Sequence, residues 1–147
     1  LWRLEEDLFT AEELQTFSDV LVDAFCAPGV PQPTADRRDT VTIGWSWYAR
    51  ERAQLQDHID NVTYTITLNG EPITGWTFLS APRREADNFD DFTAYWYLLA
   101  GQITSGENIV GYEVTWRESI VDGYDAYGPG TARPSDRGQC VFQVNPG

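Results

Sequence analysis

The chain has 147 residues, 23 acidic against ten basic, and a formal net charge of −13; every basic residue is arginine. An acidic surface repels phosphate backbones and anionic lipids, which argues against nucleic-acid and membrane-surface binding, and no apolar run reaches the length of a membrane span. With 41% hydrophobic and 14% aromatic residues, the composition is too apolar for disorder and large enough for one domain with its own core.

Methionine is absent, which implies that the chain begins after an initiator has gone. Residues 1–39 read as an N-terminal arm, a short helix and a proline-rich linker. Trp2, Leu4 and Leu8 stand among acids. Thr10 and Glu13 form a capping-box pair, and Leu14, Phe17, Leu21 and Phe25 recur at helical spacing. The favoured reading is a helix over 11–18. Beyond it, 19–26 stays open between helix and strand, because Val20 and Val22 are β-branched. Pro28, Pro31 and Pro33 then mark an extended crossing.

The remainder, 40–147, alternates at period two. Val41, Ile43, Trp45 and Trp47 share one face of a first clean strand, and the continuity of that face predicts core indoles rather than a sugar platform. The period lapses over 49–60, which predicts one or two helical turns; the single histidine, His58, lies there and reads as a surface or half-buried structural residue. Val62, Tyr64, Ile66 and Leu68 then alternate with threonines up to Asn69-Gly70, a pair suited to a type I′ turn. Pro72 lacks a ladder donor and puts the return strand, continued through 73–79 with Trp76 and Phe78, at a sheet edge. Residues 82–91 read as a charged loop. Strands follow over 93–99, 109–117 and 139–144, with Cys140, Phe142 and Val144 on one face.

Cys26 and Cys140 are the only cysteines. No other sulfur or second histidine completes a zinc site, and the lysine-free, aromatic-rich composition looks extracellular, so a disulfide is favoured over two buried thiols. Closing so long a loop is worth about 4–5 kcal/mol in the chain-entropy description. The 20 residues 119–138 are rich in Gly, Pro, Asp and Tyr and are long for a connection, which marks them as a functional loop. Asp122, Asp125 and Asp136 are candidate calcium ligands, with Asp87, Asp90 and Asp91 as a separate set. Hard oxygens suit calcium or magnesium, not zinc. Tyr124 and Tyr127, together with Trp2 and Leu4, are candidate partner contacts, since aromatic rings bury much area at little rotameric cost.

The run IGWSWYA, the helical lead into DHIDNVTYTITLNG, the segment YEVTW with DGYDAYGPGT, and the final CVFQV resemble secreted bacterial immunoglobulin-like domains. The resemblance spans 40–144 and implies an extracellular, Greek-key β-sandwich of about seven strands serving as a binding, spacer or assembly module. The expectation is therefore an all-β, immunoglobulin-like sandwich with short helical insertions. It is read as a non-enzymatic interaction module of the cell surface, without a cofactor apart from the calcium candidate. Its partner is a protein or a second copy, with the N-terminal arm adding a strand near Pro72. One alternative is a carbohydrate-binding module using Tyr48, Tyr95, Tyr97, Tyr124 or Tyr127; the last is a hydrolase built on paired carboxylates.

Overall fold

In the computed structural model the described residues are 18–27, 29–75, 77–86 and 89–146. The expected helix over 11–18 lies outside them but for its last residue, and Trp2, Leu4, Trp76 and Asp87 lie outside them altogether.

The chain is mostly strand with one short helix. In order it forms β1 (Val20–Asp23), β2 (Ala35–Asp36), β3 (Val41–Ala49), α1 (Arg52–Asn61), β4 (Val62–Leu68), β5 (Glu71–Pro72), β6 (Thr77–Leu79) and β7 (Arg83–Glu85). It continues with β8 (Asp91–Gly101), β9 (Gly106–Trp116), β10 (Ile120–Val121), β11 (Ala126–Tyr127) and β12 (Ser135–Asn145). One five-stranded sheet runs β1-β3-β8-β6, with β7 also on β8; the other runs β2-β12-β9-β4-β5. Both are mixed, since β1 lies parallel to β3 and β2 parallel to β12. The open choice over 19–26 resolves as strand in its first half. Twelve strands stand among the described residues where about seven were expected, and six of them are only two or three residues long.

Alternation decides which side of each sheet is apolar. Ile43, Trp45, Ala94, Trp96 and Leu98 of the first sheet meet Ile66, Val110, Phe142 and Val144 of the second in one buried core. Trp45 and Trp116 are 4% and 5% exposed, as the alternation requires. The Cys26–Cys140 disulfide joins the segment after β1 to the centre of β12, with Cα atoms 6.0 Å apart, and so ties the two sheets together.

The hairpin at Asn69-Gly70 forms with φ of 52° and 87° at the two turn residues, the left-handed pair that type I′ geometry demands. The return strand differs from its expected extent. After Pro72 the ladder ends, and the chain crosses to the other sheet, where Thr77–Leu79 pairs with β8. β5 is a sheet edge, as a residue without an N–H predicts.

Two segments read as loops carry strand pairing. Arg83–Glu85 pairs with β8. Within 119–138, β10 and β11 close a small hairpin and β12 begins at Ser135. That stretch is therefore a braced turn and not a long free connection. The helical segment is also longer than one or two turns. Glu51 N–H donates to Gln54 Oε1 at 3.0 Å, which caps α1, and Leu55, His58 and Ile59 turn inward at helical spacing.

Candidate functional site

His58 is fully buried, not half-exposed. α1 delivers it into a ring of aromatic side chains: Trp47 stacks on it at 4.2 Å and 6°, while Trp96, Trp116 and Tyr64 approach edge-on. Trp116 Nε1–H donates to His58 Nδ1 at 2.9 Å. Indole is a donor only, so Nδ1 is unprotonated and Nε2–H donates to the Tyr64 hydroxyl at 2.7 Å. Burial lowers the imidazole pKa to about 3 and pushes the Tyr64 phenol well above its ordinary range. Such a ring, with both nitrogens engaged, is a strut between helix and sheet.

A second aromatic group sits at the end of the molecule where β3, β8 and the β10–β11 turn converge. Asp122 Oδ1 accepts from the backbone N–H groups of Tyr124 and Asp125, each at 2.8 Å. Arg50 N–H donates to the Asp122 carbonyl at 2.9 Å, which fastens the turn to the end of β3. The Tyr124 hydroxyl reaches Asp91 at 2.8 and 3.1 Å from its two oxygens. Asp91 is buried, whereas Tyr124 is 54% exposed. This bond to a carboxylate raises the Tyr124 pKa. The Arg50 guanidinium lies 5.7 Å from the centre of the Tyr124 ring. Its methylenes need Gly123 (φ 95°) beneath them, because a Cβ there would meet them at 2.7 Å.

Tyr48 stands edge-on to Tyr124 at 6.3 Å and is 45% exposed. Across a shallow depression of about 410 Å3 stands Phe89, 88% exposed, with φ 55°. A bulky side chain held in the left-handed region with almost no burial has no packing reason to be there.

The other expected residues divide. Of the tyrosines, Tyr48 and Tyr124 come together. Tyr127 packs against Trp47 and Trp116 with Arg133 over its ring, so it belongs to the interior edge. Tyr95 and Tyr97 stack on the face of their sheet away from the core; Tyr97 is buried, and Tyr95 donates to Glu85 at 3.0 Å. Of the calcium candidates, Asp122 and Asp125 share the β10–β11 turn. Asp122 is committed to its turn, Asp125 pairs with Arg133 at 3.0 Å, and Asp136 meets the Tyr112 hydroxyl at 3.4 Å. No group of three acidic, His or Cys side chains placed to hold a metal occurs among the described residues.

Sequence reading missed Phe89 and Arg50. A signal for Phe89 was present: a lone aromatic inside the acidic run Asn88-Phe89-Asp90-Asp91 has no apolar neighbour at period two, where Asp87 and Asp91 stand. No known protein family, curated protein or solved structure matches this chain.

Proposed function

We propose that this domain is a non-enzymatic binding module of the extracellular space, an immunoglobulin-like β-sandwich whose contact surface is the Tyr48–Phe89–Tyr124 cluster and whose partner is a protein. The observation that carries the reading is the clamping of Tyr124. Its backbone is held by Asp122, its hydroxyl by buried Asp91 and its ring by Arg50, yet half of it faces solvent. Rigid aromatic and arginine side chains are the types that dominate binding energy at interfaces, because little entropy remains to lose. The disulfide suits an oxidising compartment, and among the described residues no helix is long and apolar enough to cross a membrane. The chain's charge of −13 favours a partner with a basic rim. A glycan is the weaker ligand here, since the nearest buried carboxylate, Asp91, already accepts from the Tyr124 hydroxyl.

The test places a photo-crosslinking benzoylphenylalanine at position 89 and, in a control, at position 141, an exposed valine on β12. Both proteins are applied to intact cells of the source. A defined adduct from position 89 alone supports the reading. Equal adducts from both positions, or none from position 89, refute it.

A further inference from the structure

Asp91 lines the depression between Tyr48, Phe89 and Tyr124 and is 4% exposed. A buried carboxylate is costly unless a cation pairs with it. The donor that reaches it is the Tyr124 hydroxyl, a neutral group. Among the described residues the ion pairs are Arg133–Asp125 and Arg137–Glu113, so Asp91 has none there.

The walls suit a cation too. Aromatic faces carry negative charge density and attract a guanidinium laid over them. This molecule makes that contact with its own arginines: Arg50 lies 5.7 Å from the centre of Tyr124, Arg133 5.5 Å from Tyr127 and Arg84 4.9 Å from Phe92. Around the depression the rings of Tyr48, Phe89 and Tyr124 are exposed. Arg50 is the cation in the lining and offsets Asp91 one for one. The chain as a whole carries −13, a field that draws cations and opposes anions. Arginine fits such a site better than lysine, because its planar guanidinium stacks on rings and is less strongly hydrated.

We infer that the protein partner anchors in this depression through an arginine side chain, its guanidinium against the exposed rings and drawn towards Asp91. The inference rests on the partner reading above and names the group that the partner presents.

Arginine, citrulline and norleucine, each capped as the N-acetyl methylamide, separate the contributions. Citrulline keeps the shape of arginine and replaces the guanidinium with a neutral urea; norleucine keeps an apolar stem alone. Binding is followed by NMR through the ring resonances of Tyr48, Phe89 and Tyr124. Arginine should shift them saturably and bind about tenfold tighter than citrulline, the sum of a cation–π contact and an ionic attraction, and tighter than norleucine. Added salt should weaken arginine and leave citrulline unchanged. Phe89→Leu alters an exposed position and should weaken arginine about threefold. Asp91→Asn keeps an acceptor for Tyr124, deletes the charge and should bring arginine and citrulline to within about threefold of each other; the salt titration serves if this variant does not fold. The inference is overturned by an absence of saturable shift, by equal affinity of wild type for arginine and citrulline, or by norleucine binding as tightly as arginine. Any of these with the position-89 adduct still formed overturns the arginine anchor alone. An arginine-selective titration with no adduct from position 89 refutes the protein partner and leaves the cation site standing.

Discussion

The His58 cluster and the Tyr124 cluster are built from the same parts and differ in one respect. Each holds a buried titratable group in contact with a tyrosine hydroxyl: His58 with Tyr64, Asp91 with Tyr124. Around His58 the rings of Trp47, Trp96 and Trp116 pack on the imidazole. Around Asp91 the rings turn outward, with Tyr48, Tyr124 and Phe89 all exposed. The hydroxyl bond therefore does not tell a strut from a contact surface; the fate of the ring face does. In the first cluster the aromatic area is buried within the fold, in the second it is left facing solvent.

The largest expected effect tests the interior. Trp116→Ala removes a 5%-exposed indole and leaves His58 Nδ1 without its donor, so unfolding in denaturant should show a loss of about 3–5 kcal/mol. Phe89→Ala, in the outer cluster, should stay within about 0.5 kcal/mol of wild type. Similar losses from both would erase the distinction between the clusters.

Acid sharpens the same contrast. The folded pKa of His58 is lowered from 6.5 to about 3, so below pH 6.5 the unfolded chain takes up a proton that the folded protein refuses. Stability is unaffected by this group above that pH. It falls by about 1.4 kcal/mol per unit as pH drops from 6.5 towards 3, or about 3 kcal/mol at pH 4. Carboxylates titrate in the lower part of this window, so the useful quantity is the difference between wild type and His58→Gln. The stability of wild type relative to His58→Gln should fall smoothly from pH 6.5 downward. A difference independent of pH would show that the imidazole is hydrated and not the strut described.

In the outer cluster, Tyr124→Phe keeps the ring and deletes the hydroxyl, leaving the buried Asp91 carboxylate short of a donor. The expected cost is about 1–2 kcal/mol, together with greater ring mobility at position 124 by NMR relaxation. A neutral outcome would mean that Tyr124 is not clamped, and the proposed contact surface would lose its rigidity.

How far these clusters were legible depends on what each residue's position follows from. Period-two alternation gave the buried faces of β3, β4, β9 and β12 directly, including Trp45, Trp116 and Cys140, because alternation is a local property. The Asn69-Gly70 turn was legible for the same reason. The path after Pro72 was not: a strand's choice between two sheets depends on partners far along the chain, and Thr77–Leu79 finds β8. His58 was identified as structural but placed too near the surface, since its three tryptophans come from β3, β8 and β9. The outer cluster was half legible. Tyr48 and Tyr124 were singled out as separate candidates. Their meeting depends on Arg50 and Asp122 fastening the turn to the end of β3, a long-range bond that no local pattern announces.

The smallest expected change in stability is also the most discriminating. Phe89 holds φ at 55° and is 88% exposed. A non-glycine residue in the left-handed region costs roughly 1–2 kcal/mol, and glycine relieves that strain while losing roughly 0.5–1 kcal/mol to the freedom of the unfolded chain. With no packing to forfeit, Phe89→Gly should leave stability unchanged or raise it by up to about 1 kcal/mol. On the proposed reading, a side chain that strains the backbone and adds nothing to the fold serves the contact surface. Phe89→Gly should accordingly be fully folded, by thermal melt and by retention of the Tyr124–Asp91 bond, and should lose partner capture. Capture is then read from a benzoylphenylalanine at position 48, where the rest of the surface is intact. A loss of stability above about 1 kcal/mol would instead show that Phe89 packs in solution, and the outer cluster would join the inner one as part of the fold.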